Sequence, residues 1–197
     1  MKRHRKAEVR RKTKETEVVL KVDLDGTGKH SIRTGIPFLD HMLSLLGHHS
    51  RMDLSIRAKG DIGVDAHHTV EDVGICLGEG IRKALGDSKG IQRYGMGLIP
   101  MDETLTSVAL DLSKRPCLVY HMKLKRSRIG TFDLELVEEF LRALCNHAGM
   151  TLHINLHYGR NSHHMIESLF KGLGRAIREA VSRDERSAGI PSTKGLL

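Results

Sequence analysis

The sequence contains no tryptophan, and only 4% of its 197 residues are aromatic. Proteins that bind single-stranded nucleic acid stack bases on aromatic side chains, so this scarcity argues against such a function. The chain also lacks an apolar stretch long enough for a signal peptide or a membrane span. We therefore expect a cytoplasmic protein that has neither a nucleic acid nor a membrane as its partner.

Cysteine is scarce as well. Its three positions, Cys76, Cys117 and Cys145, are irregularly spaced and include no Cys-x-x-Cys pair. An odd number at such spacing predicts neither a disulfide framework nor a zinc site. We expect all three to be small buried apolar residues.

Positive charge is unevenly distributed. The net charge is +8, but residues 1–14 hold eight lysines or arginines against the single acid Glu8, and so contribute +7 of it. The other 183 residues are nearly neutral. This distribution favours a frayed, solvated terminus over an extended basic surface.

Histidine, in contrast, is abundant, with 13 residues. The pattern His-His-x-x-Glu occurs twice, beginning at His67 and at His163. Residues 66–85 and 162–181 align with eight identities in twenty at a constant offset of 96. This agreement indicates an internal duplication, and imidazole is the commonest metal ligand, so the repeated element is the first candidate for a site.

The repeat divides the chain. We predict a basic tip, two half-repeats and a C-terminal substrate-binding loop, with the bounds 1–7, 8–90, 97–185 and 186–197. Extending the alignment outwards pairs Glu15 with Glu103 and His41 with Glu139.

Each half has the same hydrophobic pattern. Apolar residues alternate with polar ones in short runs, as in half-buried strands, and recur at helical spacing in longer runs. The predicted strands are 16–24, 52–60, 106–112 and 150–159, and the predicted helices are 37–50, 67–86, 133–149 and 163–181. This order predicts an α+β fold of mixed sheets with helices packed between or beside them, repeated by a pseudo-twofold axis.

The spacing within the repeated motif suits a divalent cation. On a helix, Glu71 lies one turn after His67 and His68, so one imidazole shares its face while the other is turned about 100° away. We expect two pseudo-symmetric sites, each with one His and the Glu of its own half and the spare His of the other. His41 would complete the first site and Glu139 the second. Several nitrogens with a carboxylate suit octahedral Mn²⁺ better than a closed zinc site.

Longer stretches carry a family resemblance. The segments "FLDHMLSLLGHHSRMDL", "DAHHTVEDVGICLGEGI", "NSHHMIESLFKGLGRAIREA" and "IPSTKGLL" resemble the imidazoleglycerol-phosphate dehydratases of histidine biosynthesis, from about Ala7 to the last residue. The resemblance implies a duplicated fold of the ribosomal protein S5 domain 2-like type. It further implies two Mn²⁺ per active site, and homo-oligomeric trimers that assemble into a 24-mer.

The resemblance also implies roles for individual residues. The substrate would be imidazole glycerol phosphate, which loses water. Glu15, at the family's "ET" motif, would transfer protons, with Asp102 and Glu103 as weaker candidates. The implied metal ligands are His41, His67, His68, Glu71, Glu139, His163, His164 and Glu167. The implied substrate-binding residues are His49, Arg93, Arg115, Lys171, Ser192 and Lys194. Many family members have His where this chain has Glu139, but a carboxylate is also an adequate ligand.

Three other functions are consistent with parts of the sequence. A di-metal hydrolase would use the same ligands to activate water against a phosphate ester. A metal-storing shell would need the ligands but not the cationic residues. A nucleic-acid-binding protein would depend on the basic tip.

Overall fold

The computed structural model describes residues 5–184, 186 and 189–194. The first half of the chain contains four strands and two helices. They are β1 (Lys6–Lys12), β2 (Thr16–Asp23), β3 (His30–Arg33), α1 (Pro37–Ser50), β4 (Asp53–Gly60) and α2 (His67–Leu85). The second half repeats this order and adds a short hairpin. Its elements are β5 (Tyr94–Met101), β6 (Thr104–Asp111), β7 (Cys117–His121), β8 (Arg128–Ile129), β9 (Phe132–Asp133), α3 (Leu136–Ala148), β10 (Thr151–Tyr158) and α4 (Ser162–Val181).

The two main sheets have the same topology. Their strand orders are β1-β2-β4-β3 and β5-β6-β10-β7. In each sheet the first three strands are antiparallel, and the last strand runs parallel to its neighbour. The predicted α+β fold with a duplicated half is therefore confirmed.

Alternation of side chains determines which face of each sheet is buried. On β2, Val18, Leu20 and Val22 are buried, while Glu17 and Lys21, which alternate with them, are exposed. Because successive strand residues point to opposite faces, this pattern gives each sheet one apolar and one solvated face.

The helices lie between the two sheets. Helix α2 packs on the first sheet and against α3, while α4 packs on the second sheet and against α1. The apolar faces of all four helices and both sheets form one continuous core that includes Phe140 and Phe170. Each half thus buries its helices against those of the other half, as the pseudo-twofold requires.

Two equivalent glycines allow close contact between helices. A Cβ on Gly78 would lie 2.7 Å from the carbonyl oxygen of Leu144, and one on Gly174 would lie 3.0 Å from that of Leu46. The first contact joins α2 to α3, and the second joins α4 to α1. The same close approach therefore occurs at both helix pairs.

Two expectations from the sequence are wrong. The basic terminus is not frayed throughout, because Lys6–Lys12 form the edge strand β1, where Val9 is buried and Arg11 pairs with Asp72 at 2.7 Å. Cys117 is exposed on the edge strand β7, whereas Cys76 and Cys145 are buried as predicted. Among the described residues, no helix is long and apolar enough to cross a membrane.

Candidate functional site

The contact between α1 and α4 brings three potential ligands together. His41, His163 and Glu167 each offer one atom, and these atoms lie within 4.8 Å of one another. Glu167 Oε2 is 3.3 Å from His163 Nε2 and 3.9 Å from His41 Nε2. Two imidazole nitrogens and a carboxylate oxygen are a donor set that Mn²⁺ and similar divalent ions accept. The residues present therefore fit the metal that the sequence implied.

Local sequence places each of these side chains. Helix α1 begins at Pro37, and His41, in its second turn, faces Glu167 of α4. Asn161 caps α4 by accepting a hydrogen bond from the backbone N–H of His163. His163 and Glu167 are then one turn apart on the same helical face.

The position of His41 differs from the expectation. We expected His41 to complete the site of the first motif, but it lies beside the second. The reason is the packing of helices across the pseudo-twofold, because α1 packs against α4 of the other half.

Glu167 is strongly influenced by its neighbours. Its side chain is only 12% exposed, and Lys171 Nζ lies 2.7 Å from Oε1. Burial raises the pKa of Glu167, but Lys171, His41 and His163 together hold that pKa below its usual value. The carboxylate is therefore ionised near neutral pH and presents Oε2 towards the two imidazoles.

The second histidine of this motif points elsewhere. His164 Nδ1 lies 2.9 Å from Glu103 Oε2 and 3.8 Å from Asp102 Oδ2, and these three residues form a second candidate cluster. The rings of His163 and His164 are nearly perpendicular, at 86°. The hydrogen bond to His164 lowers the pKa of Glu103, and the same bond raises the pKa of His164. Nδ1 of His164 thus contacts acids of its own half of the chain.

The first motif is arranged differently. His68 Nδ1 lies 3.0 Å from Asp61 Oδ2, which raises the pKa of His68. His67 lines a cavity of about 370 Å³. Within the part of the chain that the structure describes, His67, Glu71 and Glu139 do not gather as His41, His163 and Glu167 do. The described part of a single chain thus assembles one of the two predicted groups.

Glu15, the predicted proton-transfer residue, is exposed immediately before β2. Its backbone N–H donates to Thr13 Oγ1, and its charge contributes to the raised pKa of His68. Glu15 therefore lies on the side of the molecule that carries the first motif.

Several of the predicted substrate-binding residues come together. Arg93 donates to both carboxylate oxygens of Asp111, at 2.6 and 3.0 Å, and to the carbonyl of Pro191 at 2.9 Å. Arg115 reaches the same Asp111 at 3.8 Å. Ser192 Oγ accepts from the backbone N–H of Lys194. The C-terminal loop is thus held by Arg93, which shares Asp111 with Arg115.

Lys171 and His49 lie apart from that cluster. The backbone N–H of Arg93 donates to the carbonyl of Ala180 on α4. Ala180 is nine residues beyond Lys171, so the two residues are roughly 13 Å apart along the helix. His49 lies on α1 near Gly174, two turns beyond His41. Burial lowers the pKa of His49.

Sequence reasoning missed Asp61 and Asp111. Asp61 directly follows the strand that precedes the first motif, and Asp111 ends β6. Asp61 has no acidic counterpart, because Arg160 occupies its place in the second half, and its only signal was a lone acid seven residues before His68. Asp111 does have an acidic counterpart, since the aligned strands pair it with Asp23, and this repeat was the signal that could have found it.

The family model for imidazoleglycerol-phosphate dehydratase matches residues 34–177, which include His41 and both histidine motifs. The chain belongs to the imidazoleglycerol-phosphate dehydratase family. This family works in histidine biosynthesis, and its name denotes a lyase that removes water.

Individual members of the imidazoleglycerol-phosphate dehydratase family agree over nearly the whole chain. The chain is 57% identical to the enzyme of Clostridium botulinum, with 97% of both chains covered, and 60% identical to that of Azorhizobium caulinodans, with 98% of both covered. The solved structure from Staphylococcus aureus matches with a TM-score of 0.83 and 40% identity, covering 90% of this chain and 99% of that one. The structure from Pyrococcus furiosus, solved in complex with (S)-C348, matches with a TM-score of 0.84 and 35% identity, covering 96% and 100%.

Proposed function

We propose that this chain eliminates water from D-erythro-imidazole glycerol phosphate and so forms imidazole acetol phosphate. The observation that carries this proposal is the group of His41, His163 and Glu167, a nitrogen-rich cation site built by helices of both halves. Such a site suits a reaction in which a substrate imidazole is activated, and family membership supports the same conclusion.

We propose two Mn²⁺ ions per active site as the cofactor. The proposed ligands are His41, His67, His68, Glu71, Glu139, His163, His164 and Glu167. Bound in this way, the ions would supply Lewis acidity that stabilises the imidazolate form of the substrate ring. The chain's own contribution is the positioning of the donors. Helix packing places His41 beside Glu167, and the Nδ1 bonds of His68 and His164 orient those rings.

Glu15 is the proposed catalytic residue. Its exposed carboxylate can remove the proton from the side-chain carbon next to the one that loses hydroxide. The resulting enol then becomes the ketone of the product. No oxidation or reduction is involved, because the elements of water leave together.

The proposed binding site of the substrate phosphate is the cluster formed by Arg93, Arg115, Ser192 and Lys194. Arginine can bind phosphate through two parallel hydrogen bonds, and the loop of Ser192 and Lys194 adds a hydroxyl and a point charge. Arg93 is held by Asp111 and Pro191, which fixes its direction before the substrate arrives. Lys171 and His49, which lie farther along α4 and α1, would contact the substrate nearer the metals.

We propose that the complete site forms in a homo-oligomer, through trimers that assemble into a 24-mer in the cytoplasm. Two observations support assembly. The first motif does not close a cation group within the described part of one chain. In addition, Tyr94, Met96 and Leu98 form an exposed apolar row on the edge strand β5, and such patches favour protein contacts.

The test is an assay of metal-stripped protein with imidazole glycerol phosphate, with and without added Mn²⁺. We expect Mn²⁺-dependent formation of imidazole acetol phosphate, followed by the absorbance of its enol in alkali. Release of inorganic phosphate would instead indicate a hydrolase. Tight Mn²⁺ binding with no turnover would indicate a storage protein, and both results would overturn the proposal.

A further inference from the structure

The duplicated glutamates Glu15 and Glu103 occupy the same place in their halves but have different surroundings. Each directly precedes the second strand of its sheet, β2 or β6. Glu103 Oε2 contacts His164 Nδ1 at 2.9 Å, and Oε1 accepts the backbone N–H groups of Arg160 and Asn161 at 3.1 and 2.7 Å. Both oxygens of Glu103 are therefore engaged within its own half.

Among the residues that the structure describes, the carboxylate of Glu15 has no comparable contacts. Within residues 5–184, no hydrogen bond or ion pair involves its carboxylate, and its charge acts on His68 only through space. The histidine that corresponds to His164 is His68, and its Nδ1 is bonded by Asp61 at 3.0 Å. Asp61 thus has the role at His68 that Glu103 has at His164.

The positions of Asp61 and Arg160 in the two halves can be compared directly. Asp61 follows Gly60, and Arg160 follows Gly159, and both glycines face the threonine that begins the adjacent strand, Thr16 or Thr104. Asp61 and Arg160 are therefore equivalent positions. A guanidinium has no acceptor, so in the second half a carboxylate must come from elsewhere to hold His164.

We infer that Asp61 is a positioning residue for His68, and that its presence releases Glu15 from the structural role kept by Glu103. An acceptor at Nδ1 fixes the proton there, so Nε2 carries the lone pair that faces a cation. Loss of such an acceptor lowers metal affinity by about 10- to 100-fold in other metal sites. The inference rests on the proposed function for the cation and for Glu15.

The experiment measures Mn²⁺ binding to the metal-stripped full chain, from the electron paramagnetic resonance signal of free Mn²⁺. Asp61→Ala and Glu103→Ala should each weaken one class of sites by about 10- to 100-fold. Asp61→Asn and Glu103→Gln keep an acceptor oxygen and should recover most of that affinity. Glu15→Gln should bind Mn²⁺ as the wild type does.

The rate of substrate dehydration, measured at increasing Mn²⁺ concentration, distinguishes the positioning role of Asp61 from the catalytic role of Glu15. Saturating Mn²⁺ should restore turnover to Asp61→Ala but not to Glu15→Gln. Unchanged Mn²⁺ affinity in Asp61→Ala would overturn the inference, as would weakened affinity in Glu15→Gln or an Asp61→Asn variant as weak as Asp61→Ala. If the wild type binds Mn²⁺ but does not turn over substrate, the proposed function fails, while the binding data still decide the role of Asp61. Circular dichroism of each variant checks folding, and the Asn and Gln variants keep the test decisive if an alanine variant unfolds.

Discussion

His41 and Glu167 belong to different halves of the duplicated chain, yet His41 Nε2 lies 3.9 Å from Glu167 Oε2. The two residues meet because α1 of one half packs against α4 of the other. The candidate cation site is therefore a product of the interface between the halves. Neither half could form this site alone. The packing of the two halves therefore creates the candidate cation site as well as the shared hydrophobic core.

The first prediction concerns Glu167→Gln. The amide keeps the shape of the side chain but removes the charge that faces His41 and His163, so Mn²⁺ affinity should fall by at least tenfold, measured by isothermal titration calorimetry. The matched control is Glu138→Gln on α3, whose carboxylate pairs with Arg142 and not with a histidine. Equal affinities for Glu167→Gln and wild type would remove Glu167 from the site.

The second prediction concerns Arg115→Ala. Arg115 is exposed, and its 3.8 Å contact with Asp111 is too long and too solvated to contribute much stability. If the guanidinium binds the substrate phosphate, KM should rise about tenfold or more, because a charge-assisted hydrogen bond contributes about 1.5–3 kcal/mol. Arg142→Ala, which removes another exposed arginine, is the control. A normal KM in Arg115→Ala, determined by steady-state kinetics, would contradict the phosphate assignment.

Periodicity predicted the helices and central strands well. Helix α1 begins and ends where the apolar pattern predicts, at Pro37 and Ser50, because its buried face repeats at helical spacing. Strand β1 was missed because charged residues dominate Lys6–Lys12 and only Val9 is fully buried. An edge strand can be so polar because one of its faces and one of its edges meet water.

The sequence was less informative about which ligands meet. It identified His41, His163 and Glu167 separately, but assigned His41 to the other motif, since spacing along the chain contains no information on which helices pack together. Asp61 was missed for a related reason. Its contact with His68 spans seven residues across a loop, where neither helical nor strand periodicity applies.

The third prediction concerns Gly78→Ala in α2. Alanine normally stabilises a helix by about 1 kcal/mol relative to glycine. Whether Gly78→Ala stabilises or destabilises the protein therefore depends on what the added Cβ contacts. Here the added Cβ would lie 2.7 Å from the backbone oxygen of Leu144, which cannot move without shifting α3. Overpacking of this kind costs about 1–3 kcal/mol, so after the helix-propensity gain we expect a net loss of up to about 2 kcal/mol and a melting temperature lower by up to about 8 °C.

Gly174→Ala should behave in the same way, because its Cβ would meet Leu46 at 3.0 Å. Gly63→Ala is the control, because nothing lies within 4 Å of its added Cβ. Thermal melts followed by circular dichroism compare the three variants. A Gly78→Ala variant that melts at or above the wild-type temperature would show that the helices can separate without cost.

The fourth prediction concerns Asp53 and pH. Oδ1 of Asp53 accepts the backbone N–H groups of Thr27, Gly28 and Lys29 at 2.8, 3.1 and 2.9 Å, and these hydrogen bonds hold its pKa below the usual value. A lowered folded-state pKa stabilises the protein above the unfolded pKa of about 3.9, and this stability is lost as pH falls through the folded pKa. Asp53→Asn keeps an acceptor but loses the charge. We therefore expect the variant to be about 1–2 kcal/mol less stable at pH 5–7, with the difference shrinking below about pH 4.

Urea unfolding of both proteins across this pH range measures the difference directly. Glu17→Gln is a suitable control, since Glu17 is exposed and its carboxylate forms a surface ion pair with Lys12 at 3.2 Å. Its stability should follow the wild-type pH profile closely, because exposed pairs contribute about 0–1 kcal/mol. A difference between wild type and Asp53→Asn that stays constant down to pH 2 would mean that the variant is destabilised by its altered shape. In that case the charge of Asp53 would not be what holds the turn at Thr27 to Lys29 against β4.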